Sequence, residues 1–134
     1  MNGLFLLDTN ILSVIALDRS KKADERFVAA TLDRVVTSVL VEGELLYGVA
    51  LRPDNHRLRD TVLPLLAELT VLEWTRATAE TYGRLRAGMQ QLGKVLSPLD
   101  MLIAAHALEV GATLVSNDRA FAHVPGLTVE DWTA

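Results

Sequence analysis

Three short runs, Leu4 to Leu7, Arg34 to Ser38 and Ala112 to Ser116, are each apolar or β-branched, too brief for a helix, and separated by helix-length stretches. A continuous apolar run of four or five residues suits a strand covered on both faces, because a strand with one wet face would alternate. The β-branched side chains of Val35, Val36 and Thr37 add to that preference. Strands that alternate with helices call for a parallel sheet, since parallel neighbours need a crossover long enough to hold a helix. The expected fold class is therefore α/β, a parallel-sheet sandwich with helices on both faces, in a single domain over residues 1–134.

Helix signals fill the intervals. Asp8, Thr9 and Asn10 supply cap chemistry for a helix from about Ile11 to Leu17. The spacing of Ala23, Phe27 and Ala30 predicts a helix over Lys22 to Leu32, and Val41, Leu45 and Val49 predict the next. Asp54 to Glu68 reads as helical, with Pro64 expected to kink or break it. A short strand is expected at Thr70 to Glu73, followed by a long amphipathic helix from Thr75 to Leu92 that Gly93 ends. Pro98 belongs in the first turn of a helix running to Glu109 and stopping near Gly111, and Leu127 to Val129 is the expected last strand.

In such a sheet, sites form at the carboxyl ends of the strands. Asp8 follows the first run directly and Asp118 lies two residues past the Ala112–Ser116 run, so both are expected at the same edge. Asp100 stands three residues after Ser97, the spacing of a capping box, at the head of a segment (Met101 to Ala105) apolar enough to be buried. Glu42 and Glu44 are two apart on one helix and point in different directions, and neither shares a polar face. Periodicity leaves the choice between them open. Each acid alone is explained as a cap or rim residue. Gathered together, however, carboxylates cannot all stay ionised without a cation, and such oxygen ligands suit Mg²⁺ or Mn²⁺.

Composition narrows the classes further. Half of the residues are hydrophobic and 22% charged, enough for a sizeable core and against disorder. The chain has no cysteine, which excludes disulfides, thiolate zinc sites and a cysteine nucleophile. The first ten residues lack signal-peptide character, and there is no apolar run of roughly 18 residues such as a membrane helix needs. A soluble, cytoplasmic protein with no membrane partner is expected. The formal charge of −4 argues against broad electrostatic attraction to nucleic acid, yet the 17 acidic residues include the site candidates, whose charge a bound metal would offset.

Four blocks occur in an order that resembles the PIN-domain family, and within it the VapC-type toxins of toxin–antitoxin pairs: LLDTNILS at 6–13, TSVLVEGELLYGV at 37–49, SPLDMLIAAHALEVGATLVSND at 97–118 and VPGLTVEDW at 124–132. The resemblance spans nearly the whole chain. It carries the family's acidic positions onto Asp8, Glu44, Asp100 and Asp118, taking Glu44 over Glu42 because Glu44 directly precedes Leu-Leu-Tyr-Gly. Ser116 stands where many relatives have Thr, and Asp118 where many have Asn, so Asn117 is a further candidate for the fourth position. The resemblance implies an Mg²⁺-dependent endoribonuclease, Mn²⁺ being the other candidate ion, with those four carboxylates as ligands and an RNA substrate. It also implies a cognate VapB-like antitoxin and a homodimer. A sequence hint for the dimer is the apolar group Val62, Leu63, Leu65, Leu66 and Leu69 around Pro64, with a mean hydropathy of +0.25.

Around this set, Thr9, Asn10 and Ser116 are expected to orient the carboxylates by hydrogen bonds. Arg119 reads as an exposed loop arginine, His106 as a core histidine, and Trp74 and Trp132 as core or rim packing. His56 and His123 show no zinc spacing. Two other classes compete. A metal-dependent phosphatase also places an aspartate after its first strand, although residue 10 is Asn where the phosphatase DxD pattern needs a second Asp. A non-catalytic α/β interaction module would use the acids as caps alone.

Overall fold

The computed structural model describes residues 3–134. Five strands, β1 (Phe5–Leu7), β2 (Val35–Ser38), β3 (Thr70–Leu72), β4 (Thr113–Val115) and β5 (Val129–Glu130), form one sheet in the order β3-β2-β1-β4-β5. Every pairing is parallel; Leu6 lies opposite Val36 on one side and Leu114 on the other. Six helices accompany them: α1 (Thr9–Ala16), α2 (Lys21–Ala29), α3 (Val39–Leu51), α4 (His56–Glu68), α5 (Arg76–Gln91) and α6 (Pro98–Val110).

The strand order explains where the helices go. The chain steps outward from β1 through β2 to β3, then returns past β1 to β4. Right-handed crossovers in opposite directions put their helices on opposite faces, and α1 accordingly packs on α2, α3 and α4 while α5 packs on α6. The sheet is thus covered twice. Leu6, Leu7, Val35 and Leu114 are fully buried, which is why β1, β2 and β4 read as apolar runs without alternation.

Helix boundaries follow cap chemistry. Ser20, Asn55, Thr75 and Ser97 each accept an amide from the first turn of the helix they precede, and Thr75 and Thr78 form a reciprocal capping box. Gly111 ends α6 in the left-handed region (φ 71°). The helix expected to reach Leu32 ends at Ala29, and Leu32–Arg34 form a separate 3₁₀ turn before β2; two further expectations shift. The break expected at Pro64 does not occur, and α4 continues through it. Pro64 is exposed, so the helix carbonyl its missing N–H leaves free can turn to water. The last strand is Val129–Glu130 rather than Leu127 to Val129, because Leu127 is held in a turn by the Val124 carbonyl, with Gly126 at φ 77°.

The apolar group around Pro64 also reads differently in space. Val62, Leu66 and Leu69 are buried in the chain's own core and Leu65 is half-buried, which leaves Leu63 alone substantially exposed. Val62, Leu65 and Leu66 pack inward on α4, which meets α1 and α3, and Leu69 follows at its C-cap. Exposed apolar side chains cluster instead on α3, at Leu46, Tyr47 and Leu51.

Candidate active site

The sheet order reverses direction at β1 and β4, and ligands in open parallel sheets bind in the crevice beyond the strand ends at such a switch point. Asp8 leaves β1 there. Its amide continues the ladder to the Val115 carbonyl (3.1 Å) and its Oδ1 accepts the Ile11 amide (3.0 Å), capping α1. The capping and functional readings are therefore compatible.

All four predicted carboxylates line one cavity of about 380 Å³: Asp8, Glu44 from the second turn of α3, Asp100 from the first turn of α6, and Asp118 from the loop after β4. Glu42 does not line it. Glu44 is held by the Thr9 hydroxyl, which donates to its Oε1 (2.5 Å). At Asp100 the amide donates to Ser97 Oγ (3.2 Å), while the carboxylate faces the cavity. Asp118 donates its amide to Ser116 Oγ (3.0 Å) and accepts the Ala120 amide (2.9 Å), capping a 3₁₀ turn, Arg119–His123. Asn10 donates to Asn117 Oδ1 (2.9 Å), joining the start of α1 to the loop after β4, and both line the cavity.

The carboxylates sense one another. Asp8 is 7% exposed, and its carboxyl is pushed up from 3.8 to about 6. Burial is the main cause, with the negative charges of Asp100 and Asp118 adding to it and the Ser116 hydroxyl and Ile11 amide pulling the other way. A group in that position gains most from a cation. Among the described residues no group of three or more His, Cys, Asp or Glu side chains is arranged to hold a metal ion by itself. Oxygen donors spread around a cavity fit an ion that keeps part of its water shell, which is the habit of Mg²⁺.

Ile103, one turn after Asp100, and Phe121 in the 3₁₀ turn complete the lining as an apolar wall. Neither was among the predicted site residues. The turn has no apolar periodicity to announce it, whereas Ile103 could have been read from its i+3 spacing to Asp100. Arg119 is exposed and lies outside this cavity; His56 bonds Arg59; Trp132 is 1% exposed and meets Phe5 edge-on at 5.4 Å. A larger cavity, about 630 Å³ between Phe5, Arg26, Arg34 and Trp132, holds none of the four carboxylates.

The PIN-domain family model matches residues 5–127. The chain is 32% identical over 130 residues to the tRNA(fMet)-specific endonuclease VapC of Shigella flexneri, covering 96% of this chain and 98% of that one. It is 30% identical over 132 residues to ribonuclease VapC2 of Rickettsia felis, again covering 96% and 98%. Among solved structures, the DNA-bound VapBC of Salmonella typhimurium superposes with a TM-score of 0.89 at 31% identity, over 96% of this chain and 98% of that one. By the family model that it matches over most of its length, and by its likeness in sequence and fold to VapC relatives, the chain belongs to the PIN-domain family, in its VapC branch.

Proposed function

We propose that the chain is a divalent-metal-dependent endoribonuclease and the toxin of a toxin–antitoxin pair, acting in the cytoplasm on RNA. The observation that carries this reading is the convergence of Asp8, Glu44, Asp100 and Asp118, from four separate elements, on one cavity at the switch point of the sheet. These four are the proposed metal and catalytic residues. Mg²⁺, or Mn²⁺ in its place, would supply an acidified water and neutralise the charge that develops on a phosphodiester.

The protein's part is to hold the donors. Asp8 is fixed by the Ile11 amide, and ion binding would displace the proton that its raised pKa lets it hold up to about pH 6. Thr9 orients Glu44, and the Asn10–Asn117 bond steadies the loop that presents Asp118. Ile103 and Phe121 keep one wall dry, which strengthens every charge interaction inside. The acidic rim would repel RNA without the cation, so substrate binding and metal binding are coupled.

The names of the relatives point to tRNA as the first substrate to try. Initiator tRNA incubated with the purified chain should be cut in Mg²⁺, left intact in chelator, and left intact by Asp8→Asn. Cleavage that persists in chelator would dismiss the metal mechanism, and phosphomonoester hydrolysis in place of RNA cleavage would favour the phosphatase reading. The solved neighbours include VapBC complexes, and a cationic segment of a VapB-like antitoxin suits a groove with several carboxylates.

A further inference from the structure

His106 sits in the middle of α6, 1% exposed, and does not line the cavity. The other buried residues of that helix are Met101, Ile103, Ala104, Ala105 and Ala107, so packing alone would be served by one more apolar side chain. A buried imidazole is costly unless bonded, and both partners of His106 lie on other elements. Its Nδ1 is 2.7 Å from the hydroxyl of Ser38, the last residue of β2 and the N-cap of α3. The backbone of Glu73, just past the end of β3, also acts on the ring as a hydrogen-bonding group.

The protonation pattern follows from those partners. A neutral imidazole has one acceptor nitrogen, and we assign that role to Nδ1, which takes the Ser38 hydroxyl proton. The Ser38 oxygen in turn accepts the Leu40 amide (3.1 Å). Burial pushes the imidazole pKa down, against the pull of Glu109 and the Glu73 backbone, which agrees with a neutral ring. The edge of Trp74, 5.6 Å away, closes the remaining side.

We propose that His106 is a positioning residue: through Ser38 it ties the helix that carries Asp100 to the helix that carries Glu44, and so sets the spacing of those two carboxylates across the cavity. The inference rests on the ribonuclease reading above and adds a determinant to the same site. His106 is six residues beyond Asp100 in α6, and Ser38 is six residues before Glu44. Each arm is therefore about 9 Å long at the helical rise. A tilt of about 6° at the joint moves a carboxylate by about 1 Å, a displacement that can cost on the order of 10²-fold in rate. Apolar packing tolerates such a tilt, whereas a satisfied buried hydrogen bond resists it.

The test compares His106→Leu, His106→Asn, Ser38→Ala and the Leu/Ala double variant with the unaltered chain. Melting temperature, Mn²⁺ binding by calorimetry without RNA, and kcat and KM for tRNA cleavage are measured well below the melting transitions. His106→Leu should lower kcat by about 10-fold or more with KM changed less than about 3-fold, and should weaken Mn²⁺ binding. His106→Asn, whose amide oxygen can take the Ser38 proton, should recover much of the loss. The double variant should be no worse than the worse single one, since both remove one bond. Lower melting temperatures with kcat and Mn²⁺ affinity unchanged would overturn the proposal and leave His106 a packing residue. Should Leu prevent folding, the Ser38→Ala and His106→Asn pair decides by the same readouts. Failure of the unaltered chain to bind Mn²⁺ and cut RNA would instead remove the ribonuclease reading and this inference with it.

Discussion

Burial among like charges makes the ionised form of Asp8 unfavourable, and its carboxyl titrates at about 6 rather than 3.8. The folded chain therefore holds this proton more tightly than the unfolded chain between about pH 4 and 6. Stability from this group is greatest below that window, falls as pH rises through it, and stays lowered above it, by up to about 3 kcal/mol without metal. Asp8→Asn should accordingly be more stable than the unaltered chain in chelator at pH 7, with the difference vanishing near pH 4, as read by denaturant unfolding. His106 has the opposite sign, since its lowered pKa costs stability as pH falls below 6.5. The difference between the two proteins, rather than either curve alone, is the diagnostic quantity. Mg²⁺ should raise the melting temperature of the unaltered chain and not that of Asp8→Asn. Equal shifts in both would remove Asp8 from the ion site. Among the glutamates, Glu44→Gln should abolish RNA cleavage, while Glu42→Gln, outside the cavity, should stay within about 3-fold of the unaltered rate. The reverse order would show that the ligand was misassigned.

At the scale of elements, what the sequence disclosed depended on whether one face of a segment dominates. β1, β2 and β4 were legible because burial on both faces leaves no alternation. In α3 the same uniformity concealed the answer from periodicity: apolar residues surround the helix, the choice of Glu44 over Glu42 came from the family resemblance alone, and in the fold Glu44 meets Thr9 and the cavity while Glu42 does not line it. The 3₁₀ turn after Asp118 escaped notice because five residues are too few for a period, so Phe121 was missed as a wall of the site. Between α2 and β2, Thr31 adopts φ 60°, ψ 138°, a region that a β-branched residue enters only under strain. Thr31→Gly should therefore stabilise the fold by about 1 kcal/mol. A loss of stability in urea denaturation would mean that the Thr31 side chain contributes more than the strain costs.

For the whole molecule, the exposed apolar side chains bear on association. Leu46, Tyr47 and Leu51 leave one side of α3 apolar and open, on the helix that also carries Glu44. A second chain or an antitoxin covering that side would bury them next to the site. Light scattering at micromolar concentration should report a dimer, and Tyr47→Lys together with Leu51→Lys should weaken either the dimer or antitoxin co-purification. No effect on either would place the interface elsewhere. The strand order also governs when the proposed active site can form during synthesis. Asp8 comes from the first strand's end and Asp118 from a loop that follows β4, which joins the sheet beside β1 only after more than a hundred residues have been made. A nascent or truncated chain lacking β4 has no switch point and holds at most three of the four acids. Such non-local pairing is slow to form, so synthesis itself imposes a delay: on the ribonuclease reading, no complete acidic site exists to cut RNA, or to be covered by a partner, before β4 and Asp118 have been made.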